Sequence, residues 1–236
     1  MSIQDFRGVL AVLVVAATAL VSGCGASSSG AQATGSASTP SRPPATQRQV
    51  ARCTPRGAHV VVVSHDAVVY TVAGVLRAGP LPGSRAQGVA VFGCVIGIWK
   101  RVALGTVRRL EKVALNGTAV AYASSQVQGI DTSRTDVLVA DIRRRHERFD
   151  VPAGRIAIAP SFVSVDALVV TPDGTVAWIQ HGGTAESPGN SVHAASVAKP
   201  SDHQLASGPA INPRSLRLVS GTVSWLEDGQ RRSARI

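Results

Sequence analysis

Three cysteines are the residues most clearly suited to covalent chemistry in this sequence of 236 residues. Cys53 and Cys94 lie in the part that reads as a folded domain, whereas Cys24 follows an apolar amino-terminal run. Because an exported protein can keep a disulfide, the pair predicts a bridge between Cys53 and Cys94, with two buried free thiols as the alternative. Closing a loop of about 40 residues would stabilise the fold by roughly 4 kcal/mol.

The histidines and serines form no recognisable catalytic pattern. The six histidines are scattered, without an i, i+4 pair or a close carboxylate cluster, so His203 beside Asp202 is expected to be a turn residue. A grouping of His181, His193 and His203 within one repeat is the nearest approach to a metal site. The sequence also lacks a nucleophile turn, a dinucleotide fingerprint and a phosphate loop. We therefore expect no catalytic residue, no metal and no cofactor, and we do not expect the protein to be an enzyme.

The formal net charge of +10 comes from clustered arginines. The clusters are Arg108 and Arg109, Arg143 to Arg145 with Arg148, and Arg231, Arg232 and Arg235. Outside the cytoplasm the available polyanions are lipid headgroups and envelope polymers, so these arginines predict adhesion to such a surface and no nucleic-acid partner. A solvated face that only keeps the protein dispersed is the alternative.

Residues 1–23 have the pattern of an export signal. The apolar run of about 14 residues is shorter than the ~20 that a membrane-spanning helix needs. The segment Val21, Ser22, Gly23 and Cys24 resembles the bacterial lipobox. That resemblance implies a diacylglyceryl thioether on Cys24, an anchor in the cell membrane and an extracytoplasmic domain; an ordinary signal peptide with an incidental cysteine is the alternative.

Residues 24–49 are rich in Ser, Ala, Gly, Thr and Pro and predict a flexible tether, because they cannot bury enough apolar surface to fold. Residues 50–236 form the predicted domain. Hydrophobic residues make up 44% of the chain and aromatic residues only 4%, so the core is expected to be rich in Val, and such cores favour sheets.

A turn followed by an aromatic-ended strand recurs along this domain. The copies are Asp173 to Trp178, Asn116 to Tyr122, Ser220 to Trp225 and, in a more divergent form, Ser64 to Tyr70. Steps of 56 residues from Tyr122 to Trp178 and 47 from Trp178 to Trp225 match the size of a four-stranded propeller blade. With many short strands between turns, the pattern predicts an all-β fold of about four propeller-like repeats, with an incomplete propeller or a β-sandwich as the alternatives.

The repeated Gly-Thr-Val-Ala-Trp type of segment, followed by Asp136-Val-Leu-Val-Ala-Asp141, resembles blades of TolB-like and WD40-like propellers of exported actinobacterial proteins. The resemblance implies binding through loops on one face. A last blade completed by an amino-terminal strand, for instance one near His59, would close the ring.

The expected function is a lipid-anchored binding or scaffolding module at the cell envelope, whose partner is an envelope protein or an anionic envelope polymer. The predicted binding loops are residues 73–87, 125–134 and 181–190, and the candidate binding residues are His181, Glu186 and Asn190. A cell-wall-directed enzyme or a small-ligand-binding lipoprotein is the alternative.

Overall fold

A computed structural model of the protein describes residues 45–77, 85–127, 132–153, 157–158, 162–184 and 187–236. The described elements in chain order are α1 (Gln47–Cys53), β1 (His59–Val63), β2 (Ala67–Arg77), β3 (Arg85–Val95), β4 (Lys100–Val107), β5 (Arg109–Asn116), β6 (Ala119–Val127), β7 (Thr132–Asp141), β8 (His146–Pro152), β9 (Ala157–Ile158), β10 (Phe162–Val170), β11 (Val176–Thr184), β12 (Ser187–Ser196), β13 (Lys199–Gly208), β14 (Arg217–Val219), β15 (Thr222–Glu227) and β16 (Gln230–Arg235). The predicted all-β fold is confirmed.

The strands form four antiparallel sheets that follow one another along the chain. Sheet 1 has the order β1-β2-β3-β4, sheet 2 β5-β6-β7-β8 with β9 on β7, sheet 3 β10-β11-β12-β13, and sheet 4 β14-β15-β16. Each sheet is a meander, and the first strands of the four sheets pack side by side in chain order. This arrangement is propeller-like and confirms the predicted number of repeats.

Each recurring aromatic lies on the second strand of its sheet and packs against the sheet before it. Tyr122 shares a buried cluster with residues of β2 and β3, Trp178 with residues of β6 and β7, and Trp225 with residues of β11 and β12. All three side chains are at most 5% exposed. The repeat therefore encodes the contact between neighbouring sheets, because every unit brings one large ring to cover its predecessor.

Gly93 marks the tightest approach between sheets 1 and 2. A Cβ atom at this position would lie 2.7 to 2.9 Å from three side-chain carbons of Ile142, which is fully buried. Only a residue without a side chain leaves room for Ile142 here.

In the described part of the chain no sheet precedes Tyr70, and α1 covers it instead. A buried cluster joins Tyr70, Val68, Cys53 and Cys94, and the predicted disulfide is present between the two cysteines, whose Cα atoms are 5.6 Å apart. The helix begins at Gln47 through a capping box, inside the segment predicted as tether. The polar composition of residues 45–49 resembles that of the tether before them, so the start of the helix has no distinct signal in the sequence.

The expectation that a strand near His59 completes the last blade is wrong. His59 begins β1, which pairs with β2 as the first strand of sheet 1. In the described part of the chain, sheet 4 keeps three strands, and the outward side of β16 carries Arg231, Ser233 and Arg235, all exposed. The stack thus has a helix at one end and a polar face at the other, as repeat arrays with capped ends do.

Candidate functional site

Three long hairpins reach the same end of the stacked sheets. In a meander, the connection between the second and third strands lies at the end where the first strand begins. The β2–β3, β6–β7 and β11–β12 hairpins therefore share one end with the β4–β5 connection and the start of β10. We call this side the hairpin end.

The predicted binding loops lie at the hairpin end, but they are mostly paired strands. Pairing continues to Arg77 and Arg85 in the first hairpin, to Val127 and Ser133 in the second, and to Thr184 and Ser187 in the third. These arms are therefore paired strands where loops were predicted, and their role in binding stays a prediction. Their glycine and polar content suggested loops, yet antiparallel pairing satisfies the backbone hydrogen bonds whatever the side chains are.

A hollow of about 690 Å³ opens at the hairpin end between sheets 2 and 3. Its floor is made by the first strands β5 and β10, and the β6–β7 hairpin contributes one wall. The lining consists of Arg108, Arg109, Leu110, Glu111, Lys112, Ser125, Gln126, Ser133, Phe162, Val163, Ser164, Val165 and Asp166. The hollow joins segments that lie more than 50 residues apart in the sequence.

Hydrogen bonds fix the two sheets on either side of this hollow. The backbone N–H of Val165 donates to Glu111 Oε2 at 2.9 Å, and Thr135 Oγ1 donates to the carbonyl oxygen of Val163 at 3.2 Å. Both bonds cross from sheet 2 to β10. Glu111 is thereby held as an acceptor for the chain itself, which is a structural role rather than that of a free acid or base.

The cationic side chains of the hollow are exposed and lack an anionic partner among the described residues. Arg108, Arg109 and Lys112 form no ion pair with any described residue. A second hollow of about 430 Å³ lies on the other side of the 108–111 segment, towards His59 and Thr71 of sheet 1. The two arginines therefore stand on a ridge between two concave surfaces and are available to an anion in either.

Two of the three candidate binding residues, His181 and Asn190, lie in the described part of the chain. His181 Nδ1 lies 2.8 Å from Asn190 Oδ1 across the β11–β12 pair, and the His181 ring lies 5.2 Å from the ring of Phe162, which lines the larger hollow. Asn190 Nδ2 donates to the carbonyl oxygen of Ile211 at 2.8 Å and so ties sheet 3 to the segment before sheet 4. Glu186 lies outside the described residues, as does Cys24.

Sheet 3 contains a hydrogen-bonded series that the sequence analysis did not predict. His193 Nδ1 lies 2.6 Å from Asp202 Oδ1, and His193 Nε2 lies 2.8 Å from Ser191 Oγ. The imidazole also stacks on the Trp178 ring, with centroids 5.3 Å apart. The expectation of histidines without nearby carboxylates is therefore wrong at His193, and Asp202 and His203 lie in β13 rather than in a turn.

The burial of this series differs from that of a serine hydrolase. Such an enzyme needs an accessible serine and a buried carboxylate that orients the histidine. Here the Asp202 side chain is 29% exposed, whereas His193 and Ser191 are buried. The geometry therefore suits a support that holds β12 and β13 together behind Trp178. The only signal in the sequence was the spacing of Ser191 and His193, two residues apart on one strand face.

The arginine cluster after β7 is partly engaged within the protein. Asp141 accepts a hydrogen bond from Arg148 Nη2 at 3.0 Å, from Thr118 Oγ1 at 3.2 Å and from the backbone N–H groups of Arg143 and Arg144. Burial acts to raise the pKa of Asp141, but the hydrogen bonds from Arg148, Arg144 and Thr118 outweigh it and hold the pKa below 3.8. Arg148 is thus a structural partner and not a free surface charge.

Other polar groups of the described residues are also structural. Tyr122 Oη donates to the carbonyl oxygen of Leu104 at 2.8 Å, and burial raises the pKa of Tyr122 to about 12. No three His, Cys, Asp or Glu side chains among the described residues are grouped in a way that could hold a metal ion. The described segments likewise include no helix with the length and apolar character required to cross a bilayer.

No family model and no curated protein sequence matches this chain.

Proposed function

We propose that the protein is a lipid-anchored extracytoplasmic module that binds an envelope component at its hairpin end. The anchor is Cys24, and the motif Val21 to Cys24 supports that part of the proposal. The hollow between sheets 2 and 3 supports the binding part, because it is concave, has a size typical of ligand sites and carries cations that form no ion pair with a described residue. The unpartnered Arg108, Arg109 and Lys112 are the observation that carries the proposal.

A binding role fits the described side chains better than catalysis does. The carboxylate that faces the hollow from β5, Glu111, is occupied by the backbone N–H of Val165. The histidine with a carboxylate partner, His193, is 2% exposed and lies inside sheet 3. Neither group is placed to act on a bound substrate. The alternative of a small-ligand-binding lipoprotein uses the same hollow and differs only in the size of the ligand.

The anchor is tested by metabolic labelling with an alkyne analogue of palmitate, comparing the natural chain with Cys24→Ala. We expect label and membrane association for the natural chain and neither for the variant. Protease added to intact spheroplasts is expected to digest the anchored domain. An unlabelled natural chain, or a domain protected from protease, would contradict the anchored and extracytoplasmic parts of the proposal respectively.

The binding role is tested by crosslinking in the native membrane and capture of the tagged chain at low and high salt. Arg108→Ala with Arg109→Ala is compared with Arg231→Ala with Arg235→Ala, which removes the same charge from sheet 4. We expect saturable recovery of an envelope component that only the first pair reduces. Equal recovery with both pairs would show that the hairpin end is not the binding surface.

A further inference from the structure

We infer that the hollow between sheets 2 and 3 binds an acidic saccharide, a sugar unit that carries one carboxylate or phosphate group. The inference rests on the proposed binding role and gives it a ligand class. Three features of the lining lead to it: the balance of charge, the neutral polar groups and an aromatic ring at the rim.

The charge balance favours a ligand of low charge density. Three cationic side chains, Arg108, Arg109 and Lys112, face the hollow together with two carboxylates, Glu111 and Asp166. The guanidinium groups can bind a carboxylate or phosphate through two parallel hydrogen bonds. The carboxylates repel a second anionic group close to the first, so a dense polyanion such as polyphosphate fits poorly.

Neutral hydrogen-bonding groups occupy the rest of the polar wall. Ser125, Gln126 and Ser133 come from the β6–β7 hairpin, and none of their side chains has a hydrogen-bond partner among the described residues. Hydroxyl and amide groups both donate and accept, which matches the hydroxyl groups of a sugar. Together with one anionic contact, they suit a ligand with one charge and several hydroxyls.

Phe162 supplies an apolar surface at the rim of the hollow. Its side chain is 36% exposed, and the neighbouring His181 ring packs beside it at an interplanar angle of 42°. The face of an aromatic ring can pack against the C–H bonds of a sugar ring and remove both from water. A volume of about 690 Å³ leaves room for more than one such ring, since small-ligand sites span roughly 300–1,000 Å³.

The test is calorimetric titration of the detergent-extracted full chain with D-glucuronate, glucose 6-phosphate, glucose, inorganic phosphate and polyphosphate. We expect glucuronate or glucose 6-phosphate to bind at least about tenfold more tightly than glucose or inorganic phosphate, and the two acidic sugars show which anionic group is preferred. Arg108→Ala with Arg109→Ala is expected to weaken binding about tenfold or more. Phe162→Leu is expected to weaken it severalfold.

A matched control distinguishes binding at the hollow from general electrostatic attraction to the positively charged protein. Arg231→Ala with Arg235→Ala removes two exposed arginines from sheet 4 and is expected to change the affinity less than twofold. Equal effects of the two arginine pairs, equal binding of glucose and glucuronate, tighter binding of polyphosphate, or no saturable binding of any acidic sugar at millimolar concentration would each overturn the inference.

The same data distinguish failure of this inference from failure of the proposed function. If crosslinking recovers an envelope component through the hairpin end while no acidic sugar binds, the binding role stands and the ligand class is wrong. If the acidic sugars bind and the substitution of Arg108 and Arg109 abolishes that binding, both the binding role and the ligand class stand. Because the substituted side chains are exposed, circular dichroism is expected to show an unchanged fold in every variant.

Discussion

The disulfide between Cys53 and Cys94 offers the most direct test of how the first sheet is stabilised. Replacing both cysteines with Ala removes the crosslink without introducing a hydroxyl into the buried cluster around Tyr70. The two residues are 41 positions apart, and a loop of that length predicts a loss of roughly 4 kcal/mol in the free energy of unfolding. For a domain of this size the loss corresponds to a fall in Tm of roughly 8–16 °C.

The assay is thermal and guanidinium unfolding of the full-length chain, followed by far-ultraviolet circular dichroism with and without a thiol reductant. Cys24→Ala alone is the control, and the double variant carries the same substitution, so that both lack the proposed anchor and differ only in the bridge. The double variant and the reduced control are expected to coincide. Hydrogen exchange is expected to increase first in α1, which Arg101 also holds through hydrogen bonds to the carbonyl oxygens of Cys53 at 2.8 Å and Arg52 at 3.4 Å.

A double variant that unfolds within about 1 kcal/mol of the control would refute this reasoning. It would mean that the apolar contacts of α1 with Tyr70 and Val68 are sufficient to hold the helix against sheet 1. Destabilisation without faster exchange in α1 would mean that the bridge acts mainly on the unfolded chain.

Three further predictions concern the contacts between and within the sheets. Gly93→Ala is expected to reduce the free energy of unfolding by about 1–3 kcal/mol in denaturant titrations, and adding Ile142→Val is expected to restore part of it; no recovery would show that strain at this contact is not the cause. Because the pKa of Asp141 is lower in the folded state than 3.8, its stabilisation is present above that pH and is lost as the pH falls below it. Asp141→Asn is therefore expected to lower the free energy of unfolding by about 1.5–3 kcal/mol at pH 7 and to flatten its acid dependence; a variant with the acid dependence of the natural chain would contradict this. His193→Phe keeps a ring against Trp178 but removes two hydrogen bonds, so a loss of about 1–3 kcal/mol is expected in the same titrations, whereas loss of a measurable ester hydrolysis would assign His193 to catalysis instead.

Strands that face a neighbouring sheet could be predicted from the sequence. The predicted strand near His59 is β1, His59–Val63, in which four consecutive valines favour the strand conformation. The recurring aromatics likewise marked the second strand of each sheet. Buried side chains must be apolar and must recur with the strand period, and this requirement leaves a readable pattern.

The outermost strands could not be predicted in the same way. β13 begins with six exposed residues, and β8 begins with two. Such strands are held by backbone hydrogen bonds to the third strand, which any side chain permits, so their sequences carry little apolar signal. For the same reason the hairpin arms that contain His181 and Asn190 resembled loops.

The candidate site was hidden because it depends on register and on the order of the sheets. Glu111 and Val165 are 54 residues apart, and they meet only because β5 and β10 are neighbouring first strands. His193 meets Asp202 through the β12–β13 pairing, whose register shifts beside His193. A bulge of this kind reverses which side chains share a face, and no composition or motif specifies it.

The bridge from α1 to β3 also has a mechanical consequence. A pull applied to the chain from its amino-terminal side reaches the domain at Cys53 and passes through the sulfur atoms to Cys94 in the interior of sheet 1. The 40 residues between the two cysteines, including β1 and β2, then lie outside the path of the load. Tension therefore acts on a strand that is paired on both sides, and the sheet must shear there rather than unzip from its first strand.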